Sequence, residues 1–543
     1  MSPLSRVPTV GALLGLAQTV IYLSTSSLIR PEVLKALLTY YVLYLLFKYR
    51  NTALGVMPRP DLPGPRGVPL LGNTIFMLFK RPKNKNYQTQ TQLHEEFGKV
   101  YTVTVLGFAR VINIRDPAMV EHVLKTHFWK YEKGEFFRTV LQPLIGGGIF
   151  GADGESHDNH TPAESTSNTD IPMVDLQRIF LLFTLDSFGE IAFGQSFGCL
   201  KDPMQPVEFA AAFDRMNKNL YQRFCSPFFT WTEWWTGKDL QIEQDREVIR
   251  KFADGVIKER RRRIAVECTA KQETSRPTRE SDARSIGSTG GKDGSKRDLM
   301  QLFMDAEDEN GERLTDESLQ DALLNFILAG RDSTAQALSW MFYLILSSES
   351  SRDILDKLVS EIDSNLGHGN ASIYPSYEII KCMKFTEACF LESLRIYPAV
   401  PHNIKVCMED DILPGGAPVY KGEMVAWGSW AIGRDKAIWG DDAEEYRPER
   451  WLEDEVHEPG VGHRRYDIGK PSPAKFVSFH LGPRACLGRQ FATIEAITIT
   501  SMLLQKFTFK LVDPHTEPAY VQAVTLQMAN GLKVRIRRRD AET

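Results

Sequence analysis

The chain is poor in cysteine and has no marked excess of charge of either sign. It contains only seven cysteines among 543 residues, so a disulfide framework is not expected and a reducing compartment fits better. Its 65 lysines and arginines nearly balance 69 aspartates and glutamates, which gives no reason to expect a nucleic-acid partner. Hydrophobic residues make up 43% of the chain, which excludes a disordered protein and allows a large buried core.

Two apolar stretches lie near the N-terminus. Residues 9–28 are long enough to span a membrane but are diluted by polar residues, whereas residues 33–47 are denser and are followed by Lys48 and Arg50. The denser stretch, if helical, rises only about 22 Å, less than the ~30 Å of a hydrocarbon core. Residues 1–56 are predicted to be a membrane anchor, with the main body cytosolic by the positive-inside rule. The alternatives are a cleaved signal peptide or a docked hydrophobic helix.

Two further segments differ in composition from the rest of the chain. Residues 57–73 are rich in proline, which fixes the backbone and removes amide donors, so a stiff non-helical hinge is predicted. Residues 269–298 consist mainly of small polar and charged residues, and a flexible surface loop is expected there. No internal repeat is visible, and residues 74–543 are predicted to form one domain.

A polar patch interrupts a long apolar helix predicted for residues 319–348. Residues 329–334 read AGRDST, and a glycine in a helix interior costs about 1 kcal/mol relative to alanine. Aspartate, serine and threonine also compete with the helix for local hydrogen bonds. Because polar groups in a buried helix need partners or a function, structural burial and catalysis both remain open from the patch alone.

Two patterns downstream carry further chemistry. Glu392 and Arg395 are three residues apart and share a helix face, a spacing that is also typical of an ordinary surface ion pair. Cys486 follows the turn-forming residues Gly482 and Pro483 and precedes an apolar helix. A cysteine at a helix N-terminus meets free amide groups and the positive end of the helix dipole, and both favour a thiolate.

Four motifs in this order resemble those of the cytochrome P450 family. Residues 479–488 resemble the haem-binding loop, with the pattern FxxGxRxCxG, and residues 329–334 resemble the oxygen-activating segment of the central helix. Residues 392–395 match the ExxR pair, and residues 447–451, PERW after an arginine, resemble the motif whose last arginine joins that pair. The resemblance implies a mainly α fold with small β-sheets around one haem.

The resemblance also implies which residues hold the haem. Cys486 would be the thiolate ligand of the iron of haem b, in a loop completed by Phe479 and Gly488. Arg484 would pair with a haem propionate. Lys405 stands where relatives often carry arginine for the same purpose; lysine keeps the charge but loses the two-pronged geometry.

The same resemblance assigns roles to the other two motifs. Asp332 and Ser333, followed by Thr334, would relay protons to bound dioxygen. Relatives usually carry threonine where Ser333 stands, and serine keeps the hydroxyl but places it less rigidly. Glu392 and Arg395 would join a third residue in a buried, charge-paired triad with a structural role. That third residue is Arg450.

One part of the family pattern is missing. Relatives carry a helix with a Trp-x-x-x-Arg motif that holds a haem propionate and offers basic residues to the reductase. This chain has no lysine or arginine between residues 139 and 177, and residues 152–172 look like the site of a deletion. Two explanations are open: an exon omitted from the sequence, which we favour, or a true loss that weakens haem retention and reductase docking.

Together these inferences predict a haem-thiolate monooxygenase that inserts one atom of dioxygen into an apolar organic substrate. Two residue groups, 330–332 and 400–403, look like the fungal alkane- and fatty-acid-hydroxylating group, and a polyketide or terpenoid secondary metabolite is the other substrate class considered. Electrons would come from NADPH through NADPH–cytochrome P450 reductase, with cytochrome b5 as a further candidate. The expected location is the endoplasmic reticulum membrane, catalytic domain facing the cytosol. The alternative is a haem-binding pseudoenzyme; a haem-dependent rearrangement enzyme is a minor one.

Overall fold

The computed structural model describes most of the chain after residue 30. The described residues are 31–77, 85–145, 173–201, 208–226, 228–274, 298–307, 311–347, 350–367, 374–454, 466–469, 471–521 and 523–539. The apolar stretch at 9–28 and the segment 152–172, where a deletion is predicted, lie outside these residues.

Helices account for most of the described chain. In chain order they are α1 (Pro31–Lys48), α2 (Asn86–Phe97), α3 (Pro117–Glu121), α4 (Gly134–Ile145), α5 (Leu176–Phe193), α6 (Glu208–Cys225), α7 (Phe229–Thr236), α8 (Lys238–Thr274), α9 (Leu299–Asp305), α10 (Asp316–Leu346), α11 (Ser350–Leu366), α12 (Tyr377–Cys382), α13 (Lys384–Ile396), α14 (Ser429–Gly433), α15 (Lys436–Trp439) and α16 (Arg489–Lys506).

The strands are short and form small sheets. They are β1 (Val100–Val103), β2 (Val111–Ile114), β3 (Tyr131–Glu132), β4 (Met173–Asp175), β5 (Asn403–Cys407), β6 (Asp411–Ile412), β7 (Pro418–Val419), β8 (Met424–Trp427), β9 (Leu452–Asp454), β10 (Tyr466–Ile468), β11 (Phe507–Leu511) and β12 (Lys533–Arg538). The prediction of a mainly α fold with small β-sheets is confirmed.

The chain divides into two compact units, and each combines distant stretches of sequence. The first unit comprises Met1–Glu135, Arg223–Thr230 and Lys381–Gln490. The second comprises Phe136–Gln222, Trp231–Ile380 and Phe491–Thr543. Neither unit is a continuous stretch of chain, and the single domain expected for residues 74–543 stays a prediction.

The first unit is built on a five-stranded sheet in the order β1-β2-β8-β5-β3. β2 and β8 run parallel, with Val111 opposite Met424, and the other neighbouring pairs are antiparallel. Apolar side chains such as Ile112, Val425 and Trp427 are buried in the core beside this sheet, because β-branched and aromatic residues pack well on a pleated surface.

The second unit is organised around α10, which is buried along most of its length. Its first turn is capped by Thr315, whose hydroxyl accepts a hydrogen bond from the Ser318 amide at 3.2 Å. α5 packs along it; the rings of Phe180 and Phe342 lie 5.3 Å apart, measured between centroids. Trp340 donates a hydrogen bond to the carbonyl of Leu526 at 2.6 Å, which satisfies its buried indole nitrogen.

Helix α1 is the described part of the predicted anchor. Its apolar side chains are exposed, among them Tyr40, Leu43 and Phe47 at 71%, 59% and 74% of their surface. Among the helices that the structure describes, none is both long and apolar enough to cross a membrane. The exposed apolar side chains of α1 are consistent with the predicted anchor, but the described structure contains no membrane-spanning helix.

The proline-rich hinge contains no α-helix and is fixed to the first unit along its length. The Arg59 side chain is buried and forms ion pairs with Asp61 at 2.7 Å and with Glu423 at 3.0 Å. The amide of Thr102 in β1 donates to the carbonyl of Pro63 at 2.8 Å. These contacts show that the segment packs on the first unit.

Both ends of the segment predicted as a flexible loop, residues 269–298, belong to helices or their caps. Helix α8 continues to Thr274, and Asp298 already caps α9 by accepting a hydrogen bond from the Gln301 amide. Residues 270–273, with the sequence AKQE, are strong helix formers, which explains why the helix extends into a polar segment. Residues 275–297 lie outside the described part of the chain.

Candidate active site

The loop before α16 holds Cys486 in a fixed position. The amide of Cys486 donates to the carbonyl of Phe479 at 2.8 Å, which closes a turn around Gly482–Arg484. His480 and Gly482 have positive φ angles of 60° and 71°. The backbone of this segment is therefore held in a sharply turned conformation that presents Cys486 just before the helix.

Gly482 is required by a close contact as well as by its φ angle. A Cβ atom at this position would lie 2.0 Å from the carbonyl oxygen of Leu124, which no side chain can tolerate. The guanidinium of Arg484 lies 5.9 Å from the centre of the Phe128 ring, a cation–π contact with the same stretch of chain. The loop is thus supported from one side by residues 124–128.

The predicted preference of Cys486 for the thiolate is not found in the loop alone. Burial raises the pKa of the Cys486 thiol, and the amides of Gly488 and Arg489, which favour the thiolate, only partly offset that effect. The helix-terminus argument has the right sign, but desolvation of the sulfur is the larger effect. Coordination to a metal ion would reverse the balance, because a coordinating thiol is deprotonated.

The surface beside Cys486 fits a flat apolar ligand. Cys486 is exposed, and so are its neighbours from Pro483 to Leu487, with Leu487 at 86%. A Cβ atom added to Gly488 would meet only the Cys486 sulfur, at 3.9 Å, among the residues that the structure describes. The sulfur and an open apolar surface therefore lie together, as haem ligation requires.

Three cations surround His480. Burial, together with the charges of Lys405, Lys133 and Arg484, lowers the pKa of His480 to about 4. Lys405 lies on β5 opposite Val425 and is only 2% exposed. Such a concentration of positive charge suits a ligand with carboxylate groups, and the two haem propionates are such groups.

His480 and the three cations near it, Lys133, Lys405 and Arg484, form a cationic cluster. The sequence analysis missed two of its members. Lys133 follows directly after β3, and the fold brings it near residues more than 270 positions later in the chain. His480 lies inside the recognised loop motif at a position that the motif leaves free. The sequence offered one signal, a histidine four residues before the predicted propionate-binding residue Arg484. Its proximity to Lys405 is visible only in the fold.

The three residues predicted as a charge-paired triad lie together in the first unit. The Glu392 carboxylate accepts two hydrogen bonds from Arg395, both at 2.8 Å, and one from Arg450 at 2.8 Å. The side chains of Glu392 and Arg395 are fully buried. An exposed ion pair, the alternative reading of this spacing, is therefore wrong.

Further groups complete the triad. Trp451 donates its indole N–H to Glu392 at 2.9 Å, and Arg395 donates to the carbonyl of Glu445 at 2.9 Å and to two other backbone carbonyls, those of Gly433 and Ala443. Every oxygen and nitrogen of this pair is thus satisfied, which is what makes a buried ion pair tolerable. The role of Trp451 was not predicted, although it follows Arg450 directly in the motif.

In the second unit, the polar patch on α10 is buried and partnered. Asp332 accepts a hydrogen bond from Asn217 on α6 at 3.2 Å and one from its neighbour Arg331, also at 3.2 Å. Arg331 in turn pairs with Asp214 on α6 at 2.5 Å. Burial raises the pKa of Asp332 to about 6, although the charge of Arg331 opposes the shift.

Within the same patch, Ser333 makes a hydrogen bond inside its own helix, whereas Gly330 allows a neighbouring helix to pack closely. Ser333 donates to the carbonyl of Ala329 one turn earlier at 2.5 Å, and Thr334 is buried. No hydrogen bond joins Asp332 to Ser333 in the described structure, so the predicted relay between them is not preformed. Gly330 is required by packing, because a Cβ there would lie 2.5 Å from the Phe188 ring of α5.

A family model, described as Cytochrome P450, matches the chain over residues 62–163 and 162–533. The chain belongs to the cytochrome P450 family. The resemblance stated from the four sequence motifs is thereby confirmed, and the fold of both units agrees with it. The family implies haem with a cysteine thiolate ligand, and the surface around Cys486 fits that group.

Individual relatives extend over most of the chain. A protein of Mycosarcoma maydis named cytochrome P450 monooxygenase cyp1 is 32% identical over 91% of this chain and 78% of its own. Two Arabidopsis thaliana proteins, named cytochrome P450 86B1 and 704B1, are 33% and 29% identical over 78% and 88% of this chain, and over 76% and 95% of their own. As a cytochrome P450 monooxygenase, the protein is an oxidoreductase.

The match to the cytochrome P450 model is broken at one point. Its two parts meet at residues 162–163, inside the acidic segment where the pattern of a helix is missing from the sequence. The break supports the inference that family residues are absent there. The deletion itself and its cause stay predictions, because residues 146–172 lie outside the described structure.

Proposed function

We propose that this cytochrome P450 is a membrane-associated monooxygenase that hydroxylates a fatty acid or alkane with electrons from NADPH. The observation that carries the proposal is the Cys486 loop, in which the exposed residues Cys486 and Leu487 lie near a group of cations. When bound there, haem b would supply activation of dioxygen and transfer of one oxygen atom to the substrate.

Residues of the first unit would hold the haem. Cys486 provides the thiolate for the iron, and the amides of Gly488 and Arg489 stabilise negative charge on its sulfur. Arg484 and Lys405 neutralise the propionates, together with Lys133. Phe479 is fixed by its carbonyl bond to the Cys486 amide and by the Arg489 guanidinium, 5.2 Å from the centre of its ring.

Residues of the second unit would supply protons. Asp332, with its pKa raised to about 6, exchanges protons near neutral pH more readily than an ordinary aspartate does. The Ser333 hydroxyl, next along the helix, would accept a proton from Asp332 and pass one on. The Thr334 hydroxyl is the next candidate in the chain. Because Asp332 and Ser333 are not hydrogen-bonded to each other in the described structure, a water molecule or a side-chain rotation must link them.

Glu392, Arg395 and Arg450 have a structural role in this proposal. Their network ties α13 to the segment around residues 433–451 through a fully satisfied, buried set of hydrogen bonds. Removing one partner would leave a buried charge without compensation. The expected consequence is a loss of stability and haem rather than a change in the chemistry.

Two exposed apolar surfaces support membrane association. One is α1, with the exposed side chains described above. The other is α7, where Trp231, Trp234 and Trp235 are 59%, 65% and 71% exposed. Tryptophan favours the membrane–water interface, where its ring is apolar and its N–H remains hydrated. The endoplasmic reticulum is the proposed membrane, with the catalytic residues on the cytosolic side.

The electron donor proposed is NADPH–cytochrome P450 reductase, with cytochrome b5 as a further candidate. The substrate class rests on the subgroup resemblance of residues 330–332 and 400–403, and secondary metabolites of polyketide or terpenoid type are the second class to test. The break in the family match at residues 162–163 is proposed to reflect an omitted exon. Sequencing the full-length transcript tests that point, since an uninterrupted reading frame without an alternative exon contradicts it.

The test of function is turnover with labelled dioxygen. The full chain is incubated with reductase, NADPH and a panel containing a long-chain fatty acid, an alkane and a terpenoid. The proposal predicts a hydroxylated product of the fatty acid or alkane that carries one labelled oxygen atom and requires NADPH. A product that forms without oxygen or NADPH would identify a rearrangement enzyme instead, and haem-loaded protein that forms no product would identify a pseudoenzyme.

A further inference from the structure

A second cluster of metal-ligating side chains lies in the first unit, on residues that have no role in the proposed haem site. It consists of His122, His127 and Asp411, whose candidate ligand atoms lie within 4.8 Å of one another. The Nε2 atom of His122 is 2.8 Å from Oδ2 of Asp411. The rings of His122 and His127 stack with their centroids 3.9 Å apart, so one ring must rotate for both to direct a nitrogen at the same ion.

An unusual backbone turn brings the two histidines together. Residues His122–Thr126 form a π-helical turn, and the amide of His127 donates to the carbonyl of His122 at 2.8 Å. In an ordinary α-helix, residues five apart point in different directions, whereas a π turn places them on one face. Such turns occur frequently at functional sites.

The cluster is incompletely satisfied by the protein. The Nδ1 atom of His127 is buried and has no hydrogen-bond partner among the described residues. A buried polar atom without a partner is costly unless something else occupies it. A metal ion bound to this nitrogen would supply the missing interaction, with Nε2 of His122 and Oδ2 of Asp411 as the other two ligands.

Surrounding groups orient the carboxylate. Tyr131 donates its hydroxyl to Oδ2 of Asp411 at 3.0 Å, and Lys130 donates to Oδ1 at 3.1 Å. The Lys130 charge opposes any cation here, so an ion at this site must gain its affinity from the nitrogen ligands. Two imidazoles with one carboxylate suit a transition-metal ion, for which nitrogen ligands are strong donors.

We propose that His122, His127 and Asp411 bind a divalent transition-metal ion of the zinc type, with water completing its coordination. The site lies on the stretch of chain that supports the Cys486 loop. Leu124, within the π turn, contacts Gly482, and Phe128, directly after His127, contacts Arg484. Metal binding would therefore hold in place the residues on which that loop rests.

The test is zinc binding by the haem-loaded full chain without a polyhistidine tag. Zn²⁺ is titrated in competition with a chromophoric chelator against wild type, His127→Ala and Asp411→Asn. His515→Ala is the matched control, because His515 is an exposed histidine in the second unit. We expect wild type and His515→Ala to bind one equivalent more tightly, by at least ~10-fold, than either site variant.

Thermal unfolding gives a second readout that does not depend on activity. Saturating Zn²⁺ should raise the midpoint of wild type and His515→Ala, since a ligand that binds only the folded state stabilises it. The site variants should show no such rise. Equal zinc affinity and an equal thermal shift in wild type and both site variants would overturn the proposal. Asp411→Asn preserves side-chain shape, so it keeps the test valid if His127→Ala does not fold.

Discussion

Glu392 and Arg395 form a two-pronged ion pair in which neither side chain retains any exposed surface. Both Arg395 nitrogens that contact the carboxylate lie 2.8 Å from its oxygens, and the remaining Arg395 nitrogen donates to backbone carbonyls. One turn of helix α13 thus fixes a charge pair that connects to residues 50 positions later. Such a pair is tolerated only while every member is present.

Replacing Glu392 by glutamine should therefore destabilise the protein strongly. The change leaves Arg395 as a buried charge without its counter-charge, at a cost of about 3–5 kcal/mol, while Arg450 keeps only Asp442 at 3.2 Å. We expect a lowered thermal midpoint and faster haem loss. The matched control is Glu243→Gln, which alters an exposed pair of the same i,i+3 spacing with Arg246 and should cost under ~1 kcal/mol. Equal effects of the two substitutions would contradict the structural role.

Lys405 provides a test of the cationic cluster. Lys405→Ala should accelerate haem release by roughly 10-fold or more, because a hydrogen bond to a charged group contributes about 1.5–3 kcal/mol. Lys405→Arg should retain haem, since the charge is kept. Haem transfer to an acceptor protein measures the rate, and Lys421→Ala, which alters an exposed lysine of the same unit, is the control. Unchanged release in Lys405→Ala would remove Lys405 from the haem site.

Asp332 tests the proton-supply role of the α10 patch. Asp332→Asn keeps the hydrogen-bonding shape but cannot release a proton, and loss of an acid–base group typically lowers kcat by about 10²–10⁴-fold. The control is Asp321→Asn on the same helix, whose partner is Arg250 and which we expect to affect stability more than turnover. Product formation at the wild-type rate in Asp332→Asn would show that the patch is structural only.

The raised pKa of Glu495 should make the free energy of unfolding depend on pH. Glu495, on α16, is buried with Ser187 as its hydrogen-bond partner, and burial raises its pKa from 4.5 to about 7. The protonated acid is therefore favoured in the folded state, and this contribution is complete below about pH 4.5 and is lost as the pH rises through about 7. The rise in pKa corresponds to roughly 3 kcal/mol.

Glu495→Gln removes this titration. Relative to wild type, the variant should therefore gain stability between about pH 5 and about pH 8, measured as the change in thermal midpoint. The exposed substitution Glu243→Gln should follow the wild type across the same range. A constant difference between Glu495→Gln and wild type at all pH values would show that Glu495 does not titrate in this window.

Much of the fold could be predicted because its signals are local. The long apolar run of α10 and the turn residues before Cys486 are visible in short windows of sequence. The end of α8 was placed too early because polar composition was taken as a sign of a loop, although residues 270–273 are good helix formers.

The remaining parts of the site depend on contacts between distant residues. The proximity of Lys133 to His480, and of Asp214 to Arg331, is set by the fold and leaves no local pattern. Burial raises the pKa of the Cys486 thiol more than the helix N-terminus lowers it, and that desolvation cannot be read from the sequence pattern. Local motifs identify the candidate site residues, whereas their protonation depends on how deeply the fold buries them.

The most direct test of the central claim, that Cys486 is the ligand of a haem iron, is the carbon monoxide difference spectrum of reduced protein. Wild type should show the red-shifted Soret band of thiolate-ligated haem. Cys486→Ser should lose that band while keeping its helical circular dichroism, and Cys382→Ser, which alters another exposed cysteine, should keep it. An unchanged band in Cys486→Ser, or no haem signal in wild type, would contradict the account.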